Sequence, residues 1–335
     1  MSKTPPQRFH TLMQSFDLIL GNHVLSMLKI DSSPHGQIAK IIKRICIFEK
    51  NWRSARTEAI ADNMIGIFDS GEGGLSVFRE IYRLLPEEKY VYYADNAHCP
   101  YGEKSAAFVL DRSRAITRFL LEKGCGIIVV ACNTATGAAI QTLRKEFPVK
   151  FIGMEPAVKP AALSTRSGVI GVLATAGTLK AAKYLMTKGQ YENGVRIVEQ
   201  VGQGWVDLVE RGILEGPEAE AVVERSVRPL LEAGADNLVL GCTHYPFLSK
   251  VIRTIAGPDV RIINPAPAAA RHLVYVMVQE GLLDEKTATR ALAKAAMPED
   301  EKNIGPSEGK PDIELISSGD PAPLQHIFKM LYPGY

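Results

Sequence analysis

Two cysteines occur in matched sequence surroundings, and their chemistry suits the transfer of protons. Cys132 follows the apolar run GIIVVA and precedes Asn133 and Thr134. Cys242 follows the run NLVLG and precedes Thr243 and His244. Each segment is typical of a buried strand that leads through polar residues into a helix. Because ligands of α/β proteins bind at the carboxyl ends of parallel strands, we predict that both thiols line one site and act as an acid/base pair.

The match extends beyond the two cysteines to both halves of the chain. The segment IGIFDSGEGG around Asp69 and the segment IGVLATAGT around Thr175 are about as far apart as the two cysteines, which 110 residues separate. Each half therefore runs from a strand through a polar turn and several βα units to a strand and a cysteine. This period is too long for a solenoid, and it predicts two similar domains related by a pseudo-twofold axis. The two thiols would then lie on opposite sides of a bound ligand.

From residue 64 onward, apolar runs of strand length alternate with helical patterns. The predicted strands are 65–69, 90–94, 127–131, 151–154, 169–173, 195–200, 237–241, 260–263 and 313–316. The predicted helices include 105–123, 134–146, 178–188, 217–233, 245–256 and 266–281. Such alternation is typical of parallel sheets with helices on both faces. The expected fold is α/β, with two doubly wound parallel-sheet domains and an active site in the crevice between them.

Composition excludes several other classes of protein. The 335 residues are 46% hydrophobic and 23% charged, which is usual for globular domains, and no apolar run reaches the ~20 residues of a membrane span. A net charge of +2 argues against nucleic acid as the main partner. The five cysteines have no regular spacing and no C-x-x-C, so neither a disulfide framework nor a metal site is predicted. Without a classical signal peptide, a cytoplasmic location fits best.

Residues 1–63 differ from the rest because they show no strand–helix alternation and no motif. Apolar residues between Phe9 and Leu20 recur at helical spacing, so this N-terminal extension is expected to be partly helical or disordered. We interpret it as the product of an upstream start codon or as a loosely attached segment. A regulatory or targeting role is the alternative.

The glycine-rich turn after the first predicted strand could bind an anion. Asp69-Ser70-Gly71 and the following Gly73-Gly74 are expected to expose backbone N–H groups at a helix start, where a carboxylate is stabilised. The turn lacks the third glycine of G-x-G-x-x-G, and no acidic ribose partner follows at the expected place. A nucleotide cofactor is therefore not predicted.

Five motifs in order resemble those of the glutamate racemases, within the aspartate/glutamate racemase superfamily. They are DSGEGGLS, DNAHCPYGEKS, ACNTA, GVLATAGT and GCTHYP, and the resemblance covers roughly residues 64–332. It implies a cofactor-independent enzyme that interconverts L- and D-glutamate and supplies D-glutamate for peptidoglycan. It also implies a first domain of residues 64–156 with 265–335 and a second domain of residues 157–264.

The resemblance implies a role for each catalytic candidate. Cys132 and Cys242 would serve opposite faces of the substrate Cα, since a thiol with a pKa near ~8.5 can act as base or acid. Asp69 is expected to assist Cys132, and His244 to assist Cys242. Glu210 in WVDLVERG matches a glutamate near the second cysteine, although the preceding GQGW departs from the commonest pattern.

Substrate contacts also carry over from the resemblance, mostly at residues beside the catalytic candidates. They are Asp69, Ser70, Tyr101, Gly102, Asn133, Thr134, Thr175, Thr243 and His244. Alternatives remain for single residues, because His244 could only cap a helix and Glu210 could be a solvated helix residue. Cys46, Cys99 and Cys125 lack the duplicated context, although Cys99 could approach the pocket without acting in it.

Competing functions and partners remain open at this point. The nearest rival is a racemase for aspartate or a hydantoin, and a different class is an interaction protein that binds DNA gyrase. Some members with N-terminal extensions require a UDP-muramyl peptide precursor for activity, so such an activator is a candidate partner beside glutamate. A homodimer is one expected assembly.

Overall fold

The computed structural model describes residues 64–296 and 312–333, which belong to one compact unit of the chain. The expectations for residues 1–63 fall outside these ranges. All nine predicted strands are present, each within two residues of its expected ends. Helices cover the sequence between them, as the alternating pattern predicts. The fold class is therefore confirmed as α/β with two parallel sheets.

The strands are short and lie at regular intervals along the described residues. They are β1 (Met64–Asp69), β2 (Lys89–Ala94), β3 (Cys125–Val130), β4 (Lys150–Gly153), β5 (Val169–Ala174), β6 (Arg196–Val201), β7 (Asn237–Gly241), β8 (Arg261–Ile263) and β9 (Asp312–Ser317).

The α-helices occupy most of the chain between these strands. They are α1 (Leu75–Leu84), α2 (Ala106–Glu122), α3 (Asn133–Glu146), α4 (Val158–Ser164), α5 (Ala176–Leu179), α6 (Ala182–Tyr191), α7 (Trp205–Glu210), α8 (Pro217–Glu232), α9 (Ser249–Ala256), α10 (Ala266–Gln279), α11 (Glu285–Ala296) and α12 (Ala322–Leu331). Short 3₁₀ turns are formed by Asn96–His98, Tyr101–Glu103 and Tyr245–Leu248.

The two sheets share one strand order. The first sheet runs β4-β3-β1-β2-β9 and the second runs β6-β5-β7-β8, and every pairing within them is parallel. If β5 is equated with β1, and β6, β7 and β8 with β2, β3 and β4, the four-strand orders are identical. Cys132 then follows β3 as Cys242 follows its equivalent β7. This equivalence favours the predicted duplication, while the pseudo-twofold axis remains a prediction.

Both faces of each sheet are buried under helices, because side chains alternate between the faces of a strand. In the first sheet, Ile65 and Ile67 of β1 pack into one apolar cluster and Phe68 packs into the cluster on the opposite face. In the second sheet, Leu173 of β5 packs into the apolar cluster on one face, and Val172 packs into the cluster on the opposite face. Burial on both faces explains the nearly continuous apolar runs of these strands.

One predicted helix is wrong in its extent, because residues 178–188 do not form one continuous helix. The Thr175 side chain accepts a hydrogen bond from Thr178 N and starts the one-turn helix α5, which ends at Leu179. Ala181 is extended, and α6 begins after it. Gly137 of α3 lies so close that a Cβ there would be 2.6 Å from the Ala181 Cβ. The break therefore occurs where a helix of the first sheet packs against the second.

Several helices that the sequence-based expectations did not name are also present, namely α1, α4, α7, α11 and α12. Among the described residues, no helix combines the length and the apolar character that a membrane crossing needs.

We predict that a shortened chain beginning at Met64 folds, because β1 begins there and the apolar clusters of both sheets are built from later residues. Its far-ultraviolet circular dichroism per residue should keep the α/β signature, and thermal unfolding should remain a cooperative transition. The full-length chain under the same conditions is the control. An insoluble or non-cooperative shortened chain would show that residues 1–63 contribute to the core.

Candidate active site

The polar residues that follow β1, β3, β5 and β7 meet between the two sheets. Hydrogen bonds cross from the first sheet to the second: Thr134 Oγ1 lies 2.9 Å from Thr175 Oγ1, and Ser76 Oγ donates to the Thr243 carbonyl at 2.7 Å. The carboxyl ends of both sheets therefore face each other, as expected for a ligand crevice in this class of fold.

Cys132 lies at the start of α3 and is only 5% exposed. Its sulfur accepts a hydrogen bond from Ala135 N at 3.4 Å, so the cysteine caps the helix, and its thiol lies 3.8 Å from Ser70 Oγ. Burial raises the pKa of Cys132 well above its ordinary value, and the nearby Asp69 and Cys242 raise it further. The surroundings of Cys132 therefore favour the protonated thiol.

Cys242 occupies the equivalent place after β7 and is 7% exposed. Its sulfur lies 3.7 Å from His244 Nδ1, and His244 Nε2 lies 2.5 Å from Glu210 Oε1. The side chains of Cys242, His244 and Glu210 thus form a continuous chain of contacts. Glu210, at the end of α7, is the most exposed of the three, and its distance from His244 makes it a charge-assisted hydrogen-bond partner.

His244 is buried, yet its surroundings favour the protonated ring. Burial by itself lowers the pKa of His244, but hydrogen bonds to Cys242, Cys99 and Glu210 raise it well above the ordinary value. A protonated imidazole donates from both ring nitrogens. His244 can therefore donate to Cys242 from Nδ1 and to Glu210 from Nε2 at the same time.

Asp69, the last residue of β1, lies between the two halves of the site and is fully buried. It accepts a hydrogen bond from Gly74 N at 2.8 Å, and Thr243 Oγ1 lies 3.4 Å from each of its oxygens. Burial raises the pKa of Asp69 more than the charge of His244 and the Gly74 amide lower it. Asp69 therefore contacts residues of the Cys242 half while its charge acts on Cys132.

The glycine-rich turn of residues 70–74 binds carboxylates that belong to the protein itself. The Gly74 amide donates to Asp69, and the Glu72 amide donates to Glu210 Oε1 at 3.1 Å. Asp69 and Glu210 therefore already satisfy two of the amides at which an anion site is expected, and that expectation stays a prediction.

Two glycines of this turn allow the sheets to approach closely. A Cβ on Gly71 would lie 2.3 Å from Glu210 Oε1, and a Cβ on Gly73 would lie 2.3 Å from His244 Nδ1. Neither position has room for a side chain without displacing a site residue. The turn therefore functions as the surface against which His244 and Glu210 are placed.

Asn133 is the predicted substrate residue with the clearest unmet hydrogen-bonding capacity. It is 4% exposed, and neither its side-chain oxygen nor its side-chain nitrogen has a partner. Buried polar groups in folded proteins are nearly always satisfied, so such an amide points to a polar ligand. A cavity of about 20 Å³ adjoins Asn133 and is also lined by Lys183 and Tyr184 of α6.

Three other predicted contacts hold the two sheets together at this edge. Thr134 and Thr175 hydrogen-bond each other through their hydroxyls, and Thr175 also contacts Thr178. Gly102 packs against Thr175, since a Cβ on Gly102 would be 2.8 Å from the Thr175 Cβ. These residues therefore lie where expected, while their hydroxyls already have protein partners.

The hydroxyl of Tyr101 already has a partner within the protein. Its hydroxyl donates to Asp95 Oδ2 at 2.5 Å, and burial together with Asp95 raises the pKa of Tyr101 well above its ordinary value. Asp95 is itself held by Arg112, whose Nε and Nη2 donate at 2.9 and 2.7 Å. This contact positions the segment that carries Cys99 and Gly102, while the substrate contact expected at Tyr101 stays a prediction.

The remaining described cysteines have different surroundings. Cys99 lies at the site, where it hydrogen-bonds His244, and its sulfur would be 3.1 Å from a Cβ on Gly71. Cys125 is buried at the start of β3 in an apolar cluster. The position of Cys99 two residues before Tyr101 predicted that it lies near the pocket, but it did not predict the contact with His244.

Comparisons with known proteins show which sequences and structures this chain resembles. A family model described as Asp/Glu/Hydantoin racemase matches residues 65–273, a range that contains all the predicted site residues. A glutamate racemase from Methylococcus capsulatus is 51% identical over 227 residues, which are 68% of this chain and 84% of that protein.

Solved structures give the same result at lower identity. A glutamate racemase isoform from Bacillus anthracis is 30% identical with a TM-score of 0.67, over 82% of this chain and 94% of that one. The Escherichia coli glutamate racemase, in complex with L-glutamate and the activator UDP-MurNAc-ala, is also 30% identical with a TM-score of 0.67. That match covers 81% of this chain and 96% of the other.

The ion pair that positions Tyr101 predicts a pH-dependent stability. Burial opposes ionisation of Asp95, but hydrogen bonds from Arg112, Tyr101 and other groups lower its pKa to about 2. A depressed carboxyl pKa stabilises the fold above the unfolded value near ~3.9, and the stabilisation is lost as pH falls toward 2. We expect Arg112→Gln to reduce the free energy of unfolding by about 2 kcal/mol near neutral pH, after allowance for solvent screening.

The matched control is Arg114→Gln on the same helix, because Arg114 pairs with the exposed Glu146. Urea unfolding at neutral pH should show little change for this control. The difference between Arg112→Gln and the wild type should shrink as the pH is lowered below about 4. A pH-independent difference would show that Arg112 acts through packing alone.

Proposed function

Because this chain belongs to the Asp/Glu/Hydantoin racemase family, we propose that it interconverts L- and D-glutamate, with Cys132 and Cys242 acting on opposite faces of the substrate Cα. The observation that carries this proposal is the pair of buried thiols on equivalent strand ends of two facing sheets. Each thiol has its own set of polar partners, so each can exchange a proton independently.

The reaction needs one group that removes the Cα proton and a second group that delivers a proton to the other face. A thiol suits both tasks, because its ordinary pKa of ~8.5 is close to the working pH. The scheme uses no cofactor, since proton removal and return are both performed by side chains. One cysteine must be a thiolate and the other a thiol at the start of each turnover.

On the Cys242 side, His244 and Glu210 are placed to manage the proton. His244 Nδ1 lies 3.7 Å from the Cys242 sulfur, and a protonated ring can donate toward it. Glu210 holds the other ring nitrogen and so fixes the orientation of the imidazole. In this role His244 and Glu210 support the base that takes the proton from L-glutamate.

On the Cys132 side, the surroundings favour the acid form. Asp69 lies close enough for its charge to raise the pKa of the thiol, so Cys132 begins protonated and can deliver its proton to the opposite face. After turnover, the two cysteines have exchanged roles, and Cys132 becomes the base for D-glutamate. Asp69 can then accept or return a proton, because its own pKa is raised.

Substrate binding falls to the polar groups around the thiols. The unpartnered amide of Asn133 can both donate and accept, so it suits a carboxylate or the ammonium group of an amino acid. Ser70 and Thr243 lie beside Cys132 and Asp69, respectively, and their hydroxyls can complete the contacts. A site with such donors discriminates strongly against analogues that lack the matching group.

We propose glutamate as the substrate, and not aspartate or a hydantoin, because the similar proteins named above are glutamate racemases. The product D-glutamate would supply peptidoglycan synthesis in the cytoplasm, where the four free cysteines of the described residues would stay reduced. The Escherichia coli glutamate racemase was solved in complex with the activator UDP-MurNAc-ala. We propose that a UDP-muramyl compound also activates this chain. A homodimer remains a prediction.

Loss of either site cysteine should abolish activity while the fold is kept. We expect Cys132→Ala and Cys242→Ala each to lower kcat/KM for L-glutamate by at least about 10²-fold, because neither thiol can reach the other face. Circular dichroism of glutamate over time measures the reaction, with and without a UDP-muramyl peptide. Cys125→Ala is the matched control and should lose some stability but little activity. A site variant that retained most of the wild-type kcat/KM would contradict the two-thiol assignment.

Solvent isotope incorporation should distinguish two opposed bases from a single base. When L-glutamate reacts in D₂O, Cys242 should take the substrate proton while Cys132 delivers solvent deuterium. The D-glutamate formed early should therefore carry deuterium at Cα, and the recovered L-glutamate should remain protiated. Mass spectrometry of the separated enantiomers measures both. Early transfer of the substrate's own hydrogen into D-glutamate would indicate one base serving both faces.

A further inference from the structure

Three side chains with metal-binding donors converge beside the Cys242 thiol. One donor atom each from Cys99, Glu210 and His244 lie within 4.8 Å of one another, and this is the one such group among the residues that the structure describes. The three come from separate elements: the segment before Pro100, the end of α7, and the turn after β7. No C-x-x-C spacing relates them, which is why the sequence did not predict a metal site.

The donor set matches the chemistry of zinc. A thiolate, an imidazole and a carboxylate are all zinc ligands, with bond lengths of roughly 2.0–2.3 Å. Donors around a tetrahedral zinc ion are then separated by roughly 3.3–3.8 Å, so a spread of 4.8 Å needs only a modest contraction. Hard cations that prefer oxygen ligands are disfavoured by the sulfur of Cys99.

The glycine-rich turn holds the three donors together at the edge of the crevice. Gly71 is the point of convergence, because a Cβ there would lie 2.3 Å from Glu210 Oε1 and 3.1 Å from the Cys99 sulfur. The Glu72 amide donates to Glu210 and orients its carboxylate, as the outer partners of metal ligands do. Cys99 and Glu210 are only partly buried, so the cluster opens to solvent at the edge of the crevice.

We propose that Cys99, Glu210 and His244 form a Zn²⁺-binding site, and that occupancy of this site reversibly inhibits the enzyme. On binding, the Cys99 thiol and the His244–Glu210 pair release protons to solvent, and the three donors take the metal instead. The inhibition follows because zinc removes His244 and Glu210 from Cys242.

The proposed inhibition depends on the catalytic roles proposed above for His244 and Glu210. Metal binding depends only on the positions of the three donors. Two measurements therefore separate them: racemase activity during a zinc titration, and the absorption spectrum of bound Co²⁺, which reports thiolate ligation without any turnover. Both use the full-length protein, stripped of metal with a chelator beforehand.

The decisive variant is Cys99→Ser, which keeps the size of the side chain but replaces the sulfur. Its kcat/KM in the presence of chelator is the reference for its own zinc titration, because Cys99 also lies against His244 and its loss can change the basal rate. Its half-inhibitory zinc concentration should rise at least about tenfold, the order expected when a metal site is impaired. Cys125→Ser is the matched control and should keep the wild-type zinc response.

Cobalt assigns the ligand directly. The wild type should bind one Co²⁺ per chain with a near-ultraviolet thiolate charge-transfer band, which Cys99→Ser should weaken and Cys242→Ala should retain. If Cys99→Ser keeps both the zinc response and the cobalt band, the metal is held by Cys242 and the proposal is overturned. A cobalt band that depends on Cys99 without inhibition by zinc would confirm the site and refute its effect on catalysis.

Discussion

The close approach of the glycine-rich turn to His244 and Glu210 is the constraint on which the site depends. Gly71 and Gly73 leave no space for a side chain, so the first sheet can contact the imidazole and carboxylate of the second directly. The Glu72 amide then fixes Glu210, Glu210 fixes His244, and His244 faces Cys242. The geometry of the second thiol is therefore set in part by residues that belong to the first sheet.

The two thiols are equivalent in topology but differ in electrostatics. Asp69 lies near Cys132 and raises the pKa of that thiol, whereas the partner of Cys242 is His244, an imidazole whose own pKa is raised. A two-base racemase needs one thiolate and one thiol, and unlike neighbours produce that pairing without a separate proton donor. The duplicated fold supplies the two positions, and the residues after each cysteine, Asn133-Thr134 and Thr243-His244, differentiate them.

The sequence predicted the features that follow from local pattern. Apolar runs with flanking polar turns placed all nine strands, and the matched contexts placed Cys132 and Cys242 at equivalent strand ends. Partners that depend on contacts between distant segments were not predicted. The hydroxyl of Tyr101 is held by Asp95, and the amides of the turn are held by Asp69 and Glu210. No periodicity encodes which carboxylate reaches which donor, because that depends on how the two sheets pack.

The different neighbours of the two cysteines cannot favour one enantiomer of the substrate. This restricts the function that the difference can have. L- and D-glutamate have equal free energy in water, so the ratio of kcat/KM in the two directions is one whatever the neighbours of each thiol are. The polar partners of Cys132 and Cys242 can only set how the free enzyme is divided between its two protonation forms, and hence which substrate it is ready to accept. Burial and Asp69 favour the form with Cys132 protonated, which in the proposed scheme is the form that receives L-glutamate. In that scheme the enzyme must return to this form after each conversion of L-glutamate, and the raised pKa values of Asp69 and His244 make these two residues the candidates to carry the protons.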